Sequence, residues 1–145
     1  MIQLYLNIIK RIRKMNILIV DDNQVVRHLL NNTVKGYCKL QECSDFNIFE
    51  AQDGIFAMEM MESKKIDLVL LDCNMPRMNG EKVVESIRLN DNWQRTRIVI
   101  ATALGTEENV LKMIKKGANG YIVKPFNQRT VFKTLDAIMT SIKEA

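Results

Sequence analysis

Cysteine is scarce in this chain of 145 residues: Cys38, Cys43 and Cys73 make neither a disulfide framework nor a metal-ligand set. Reduced thiols in a cytoplasmic protein are therefore the expectation. The apolar stretch at the N-terminus is far short of the ~20 residues that a membrane span needs. Its cations follow the apolar residues, whereas a secretory signal has them first. No low-complexity segment, GxGxxG or P-loop occurs. A general excess of positive charge is missing as well. The net charge of +4 is local, because residues 1–14 hold Lys10, Arg11, Arg13 and Lys14 and no acid. Removing those four from 21 Lys and Arg leaves 17 against 17 Asp and Glu, so residues 15–145 carry no charge argument for binding nucleic acid.

What remains is one globular domain, 47% hydrophobic and 26% charged, preceded by a short extension. In residues 1–14, Ile2, Tyr5, Leu6, Ile9 and Ile12 fall near one face at helical spacing. A basic amphipathic helix would be the one route to membrane contact, and an alternative start at Met15 would make the extension incidental. From Met15 onward, strand-like and helix-like segments alternate. The strands are 17–20, 47–51, 68–71, 97–101 and 121–123, and the helices 24–35, 55–62, 83–89, 107–116 and 128–142. Five βα repeats imply an α/β fold, a doubly wound parallel sheet with helices on both faces. Residues 36–46 stand out as longer than the usual connection, or as an extension of the first helix broken at Gly36.

In such a sheet the functional crevice lies outside the carboxyl ends of the strands. Those ends carry Asp21 and Asp22, then Asp72, Thr102 and Lys124. Asp72 follows Leu68, Val69, Leu70 and Leu71, an apolar run that reads as a strand buried on both faces. Three carboxylates brought together repel one another, and the usual remedy is a hard divalent cation with oxygen ligands, for which Mg²⁺ suits a shallow site and Mn²⁺ is a substitute. Lys124 and Thr102 would meet the oxygens of a transferring phosphoryl group, and a carboxylate would be its acceptor.

The segments ILIVDDN at 17–23, LVLLDCNMPRMNG at 68–80, IATA at 100–103 and GYIVKPF at 120–126 resemble the receiver domains of two-component response regulators, and among them the stand-alone chemotaxis-type regulators. The resemblance covers residues 15–142. It implies a flavodoxin-like strand order 2-1-3-4-5 and a phosphorylation-activated switch. Asp72 would be the phosphoacceptor, supplied by a phosphohistidine on a sensor histidine kinase. Asp22, Asp72 and the backbone carbonyl of Asn74 would bind Mg²⁺, with Asp21 acting largely through water. Lys124 would pair with the phosphoryl group, and its bond to Pro125 would be cis. Thr102 and Tyr121 would be the switch pair, read at a face made by helix four, strand five and helix five. Asn74 and Leu104, two positions after Asp72 and Thr102, would flank the path of the hydrolytic water.

Other classes fit less well. A phosphatase of the haloacid dehalogenase type needs a second Asp two positions after its nucleophile, where this chain has Asn74. A flavodoxin needs a phosphate-cradling loop after strand one, where Asp21 and Asp22 would repel FMN. A receiver that no longer accepts phosphate would lack at least one of Asp22, Asp72 and Lys124. Because the sequence stops near the end of the last helix, the expected output is a separate partner protein, with transfer onward to a histidine phosphotransfer protein as the alternative. Turnover of a separate substrate is not expected.

Overall fold

The computed structural model describes residues 1–6, 15–41, 45–75 and 77–144. Its elements in chain order are β1 (Met15–Val20), α1 (Gln24–Leu40), β2 (Phe46–Ala51), α2 (Gly54–Ser63), β3 (Leu68–Asp72), α3 (Gly80–Leu89), a 3₁₀ turn (Asp91–Trp93), β4 (Arg97–Thr102), α4 (Glu107–Lys116), β5 (Gly120–Val123) and α5 (Gln128–Glu144). The strands form one parallel sheet in the order β2-β1-β3-β4-β5. Every expected strand and helix is present, in the order that the resemblance implied.

The two faces of the sheet follow from alternation along each strand. Ile17, Ile19, Leu68, Leu70, Val99 and Ile122 pack with Leu30, Val34 and Tyr37 of α1 and Val131, Leu135 and Ile138 of α5. Leu18, Val20, Val69, Leu71, Ile98 and Ile100 face the other way, onto Ala57 and Met61 of α2, Val83, Val84 and Ile87 of α3, and Met113 of α4. Because both faces are covered, β3 is buried along its whole length. The chain lays β2 on one side of β1 and then crosses to β3 on the other. The order therefore reverses between β1 and β3, and a crevice opens where their carboxyl ends diverge.

One expectation needs correction. The first helix does extend into residues 36–46, as one of the two readings had it, but it is not broken at Gly36, because α1 runs through Gly36 to Leu40. A side chain at Gly36 would meet nothing within 4 Å, so the glycine interrupts no packing, and the buried series Leu30, Val34, Tyr37 and Cys38 carries the helical period across it. Beyond the helix the connection to β2 is short, and residues 42–44, Cys43 among them, lie outside the described residues.

At the N-terminus, residues 2–6 are helical and residues 1–6 all exposed. The remainder of the expected amphipathic segment, with Lys10, Arg11, Arg13 and Lys14, lies outside the described residues. Among the described residues no helix is long and apolar enough to cross a membrane.

Candidate functional site

Register brings the strand ends level. Val20 pairs with Leu71, Asp72 with Ala101, and Thr102 with Val123. Asp21, Asp72, Thr102 and Lys124 thus meet at one rim, and the Lys124 N–H donates to the Thr102 carbonyl at 2.8 Å. Ligand oxygens of Asp21, Asp22 and Asp72 lie within 4.8 Å of one another.

Neither Asp at the end of β1 is consumed as a helix cap. Asn23 does that work, its side-chain oxygen accepting the N–H groups of Val25 at 2.9 Å and Val26 at 3.2 Å. Asp21 is 1% exposed. One of its oxygens accepts the Asn23 N–H at 2.9 Å and the other meets Lys124 Nζ at 2.8 Å. Lys124 Nζ also lies 3.2 Å from Asp72 Oδ1, which accepts the Asn74 N–H at 3.3 Å. Asp22 is exposed at the mouth.

The charges act on one another. Burial, and then the neighbouring Asp21 carboxylate, push the Asp72 carboxyl above its usual range against the pull of Lys124. For Lys124, burial works to lower the ammonium, but the hydrogen bond and charge of Asp21, joined by Asp72, outweigh it and raise the group. The Lys124–Pro125 peptide is cis, as the resemblance implied.

The Thr102 side chain is 1% exposed and already engaged. Its hydroxyl oxygen accepts the Leu104 N–H at 3.0 Å, and the Asn109 side-chain amide reaches it at 3.5 Å. Asn109 also donates to the Leu104 carbonyl at 2.8 Å, tying the β4–α4 connection to the first turn of α4. Tyr121 stands on β5, 46% exposed. Asn74 and Leu104 are both exposed beside the rim. Cys73 packs half-buried against the core on the α2–α4 face, and burial followed by the charge of Asp72 raises its thiol. Gly80 closes the loop after Asp72, since a Cβ there would collide with the Asp72 carbonyl oxygen.

Sequence reasoning missed Asn109, the cap at Asn23, and the pairing of Arg77 with Asp53 at 3.2 Å. Only Asn23 carried a signal, being a preferred capping residue directly before a helical period.

A 2-1-3-4-5 parallel sheet with three carboxylates and a lysine at its switch point is the architecture of a receiver. The chain belongs to the response regulator receiver domain family, whose family model matches residues 17–136. Chemotaxis protein CheY-3 of Vibrio cholerae is 34% identical over 126 residues, covering 87% of this chain and 92% of that protein. The crystal structure of the chemotaxis response regulator CheY4 of Vibrio cholerae superposes with a TM-score of 0.76 at 28% identity, over 87% of this chain and 99% of that one. The receiver domain of sensor histidine kinase PA1611 from Pseudomonas aeruginosa PAO1 shares the fold at 24% identity and a TM-score of 0.73, over 90% of this chain and 99% of that one; its active-site cleft coordinates a magnesium ion. As a CheY-like receiver, the chain is a module of phosphorylation-dependent two-component signalling, a switch and not a substrate-turnover enzyme.

Proposed function

We propose that Asp72 accepts a phosphoryl group from a phosphohistidine of a sensor histidine kinase and that a separate protein reads the resulting change. The observation that carries this is Lys124 Nζ bridging Asp21 at 2.8 Å and Asp72 at 3.2 Å, with Asp22 beside them. An Asp72 oxygen attacks phosphorus, and the P–O bond forms as the P–N bond to the kinase imidazole breaks. The electron pair returns to the imidazole nitrogen, which takes a proton from solvent. Lys124 and the Thr102 hydroxyl then stand beside the oxygens of the transferred group, where fixed donors are most effective.

The donor set fits a divalent cation. Three clustered carboxylates stand against one ammonium, which pairs with Asp21 and Asp72, so two negative charges are uncompensated among oxygen ligands. Asp22, Asp72 and the Asn74 backbone carbonyl would hold Mg²⁺, or Mn²⁺ in its place, with Asp21 acting through water. When bound, the ion supplies charge neutralisation for the phosphoryl oxygens.

On phosphorylation, the Thr102 hydroxyl leaves Leu104 and Asn109 for the phosphoryl group, and Tyr121 turns toward the space it vacates. This transmits the change to α4, β5 and α5, a face on which α4 exposes Leu111 and Ile114 and β5 exposes Tyr121 and Val123. Autodephosphorylation then resets the switch, with Asn74 orienting the water and Leu104 covering part of its path. Transfer onward from Asp72 to a histidine phosphotransfer protein would use the same groups. Nucleic acid is not among the proposed partners, and the proposed setting is the cytoplasm.

Treatment with acetyl phosphate and Mg²⁺, followed by intact mass, tests this. The wild type should gain one phosphoryl group and Asp72→Asn none; undiminished labelling of Asp72→Asn overturns the assignment.

A further inference from the structure

A third buried carboxylate, after Asp21 and Asp72, stands outside the carboxylate cluster. Asp53, 4% exposed, caps α2, one oxygen accepting the Phe56 N–H at 2.9 Å. Its other oxygen meets Arg77 Nη1 at 3.2 Å. Arg77 lies in the β3–α3 connection, the segment that leaves Asp72. Among the described residues it is the one non-glycine with left-handed backbone, φ 66°. Side chains other than Asn, Asp and His adopt that region uncommonly, which makes the backbone at Arg77 a specific feature of this connection.

The neighbouring contacts show what is held. Met78 packs so closely on Gly54 that a Cβ at Gly54 would run into the Met78 carbonyl oxygen. The far end of the connection closes on Asp72 through Gly80, whose N–H donates to the Cys73 carbonyl at 3.2 Å. Between these two seats lie Asn74, exposed, and Met75, buried in the core. The Asn74 backbone thus lies on the stretch of chain between the two seats, and Arg77 pairs with the residue that caps α2 beside one of them.

We infer that Arg77 is a positioning residue for the cation site: its ion pair with Asp53 holds the β3–α3 connection so that the Asn74 carbonyl stands beside Asp72. This rests on the proposed Mg²⁺ site. The opposite effect is also physically available, because a guanidinium close to the site repels a dication. The two differ in sign. A clamp makes removal of Arg77 weaken Mg²⁺ binding, whereas repulsion makes removal strengthen it.

Calorimetric titration of the full chain with Mg²⁺ decides between them, using Arg77→Asn, Asp53→Asn and the double variant. Asn tolerates left-handed backbone at position 77 and remains a good helix cap at position 53, so each variant removes the ion pair without straining the backbone at its own position. Each single variant should bind Mg²⁺ about fivefold more weakly, the scale of a partly exposed ion pair, and the double variant no more weakly than either. Unchanged or tighter binding by Arg77→Asn overturns the inference, as do losses that add in the double variant. So does a lower melting temperature with unaltered Mg²⁺ affinity, which would make the pair merely structural. A wild-type chain that takes up no Mg²⁺ overturns the cation site itself, and Arg77's role with it; uptake by the wild type and by both variants alike overturns Arg77's role alone.

Discussion

The two ends of the sheet are built on opposite principles. At the amino ends of β3 and β4, Arg88 of α3 reaches across and donates to four acceptors: the carbonyls of Gly117 at 2.9 Å, Trp93 at 3.3 Å and Thr96 at 2.8 Å, and the Asn119 side chain at 2.9 Å. Asn119 returns bonds to Ile98 at 2.8 and 2.7 Å, and the Thr96 hydroxyl donates to the Ile66 carbonyl at 2.9 Å. Alongside, Asn16 donates its N–H to Asp67 at 2.8 Å and its amide to the Lys65 carbonyl at 2.7 Å. Here a half-buried cation is surrounded by acceptors. At the carboxyl ends, three carboxylates cluster and one lysine bridges two of them, Asp21 and Asp72. The well-satisfied end stabilises the sheet, and the frustrated end keeps groups poised for a ligand that relieves them.

The largest expected effect breaks the satisfied end. Arg88→Met takes the guanidinium donor from the Gly117 and Thr96 carbonyls, and one of two donors from the Trp93 carbonyl and the Asn119 oxygen, which keep the N–H groups of Thr96 and Ile98; this costs about 3 kcal/mol and lowers Tm by about 10 °C. Labelling of Asp72 by acetyl phosphate, measured below that Tm, should be unchanged. A loss of labelling with the fold intact would show that the two ends are coupled.

The next effects act at the frustrated end alone. Leu104→Glu places a polar group beside the water's approach and should shorten the phosphorylated lifetime about tenfold, while Asn74→Ala lengthens it by less. Phosphate release after rapid removal of the donor measures both, and two unchanged lifetimes would mean that these side chains do not line the path. Asp22→Ala should raise the Tm of the metal-free protein in EDTA by about 2 °C by removing one repelling charge, while flattening the Mg²⁺ titration. An apo Tm that falls would mean that the cluster is not under repulsive strain.

The same contrast explains what the sequence made legible. Strand ends are local features: Asp21, Asp22, Asp72, Thr102 and Lys124 each close an apolar run, and parallel pairing makes their convergence a matter of topology. The satisfied end is invisible in sequence because its partners are remote, with Arg88 bonding residues 117 and 119, and Asp53 likewise bonding Arg77. The extent of α1 was legible in principle. Leu30, Val34, Tyr37 and Cys38 keep the helical period past Gly36, but glycine's low helix propensity outweighed that period in the expectation of a break.

The smallest effect is also the most specific to the frustrated end, and its sign follows from linkage. The Asp72 carboxyl is held above its usual 3.8 by burial and by Asp21, so the folded chain holds this proton more tightly than the unfolded chain does. Stability is therefore lost as pH rises from the unfolded value through the raised folded value, and the cost is fully present above it. Asp72→Asn has no proton to lose there and keeps an oxygen that accepts from Lys124. In EDTA, the Tm of Asp72→Asn should match the wild type at about pH 3, pull ahead as pH rises through the window above 3.8, and stay ahead by about 2 °C at pH 7. The opposite pattern, a wild type that gains on the variant as pH rises, would mean that the attraction of Lys124 outweighs burial and Asp21. Repeating the melts with millimolar Mg²⁺ should reverse the order at neutral pH, because the wild type alone would recover the cost by binding the ion.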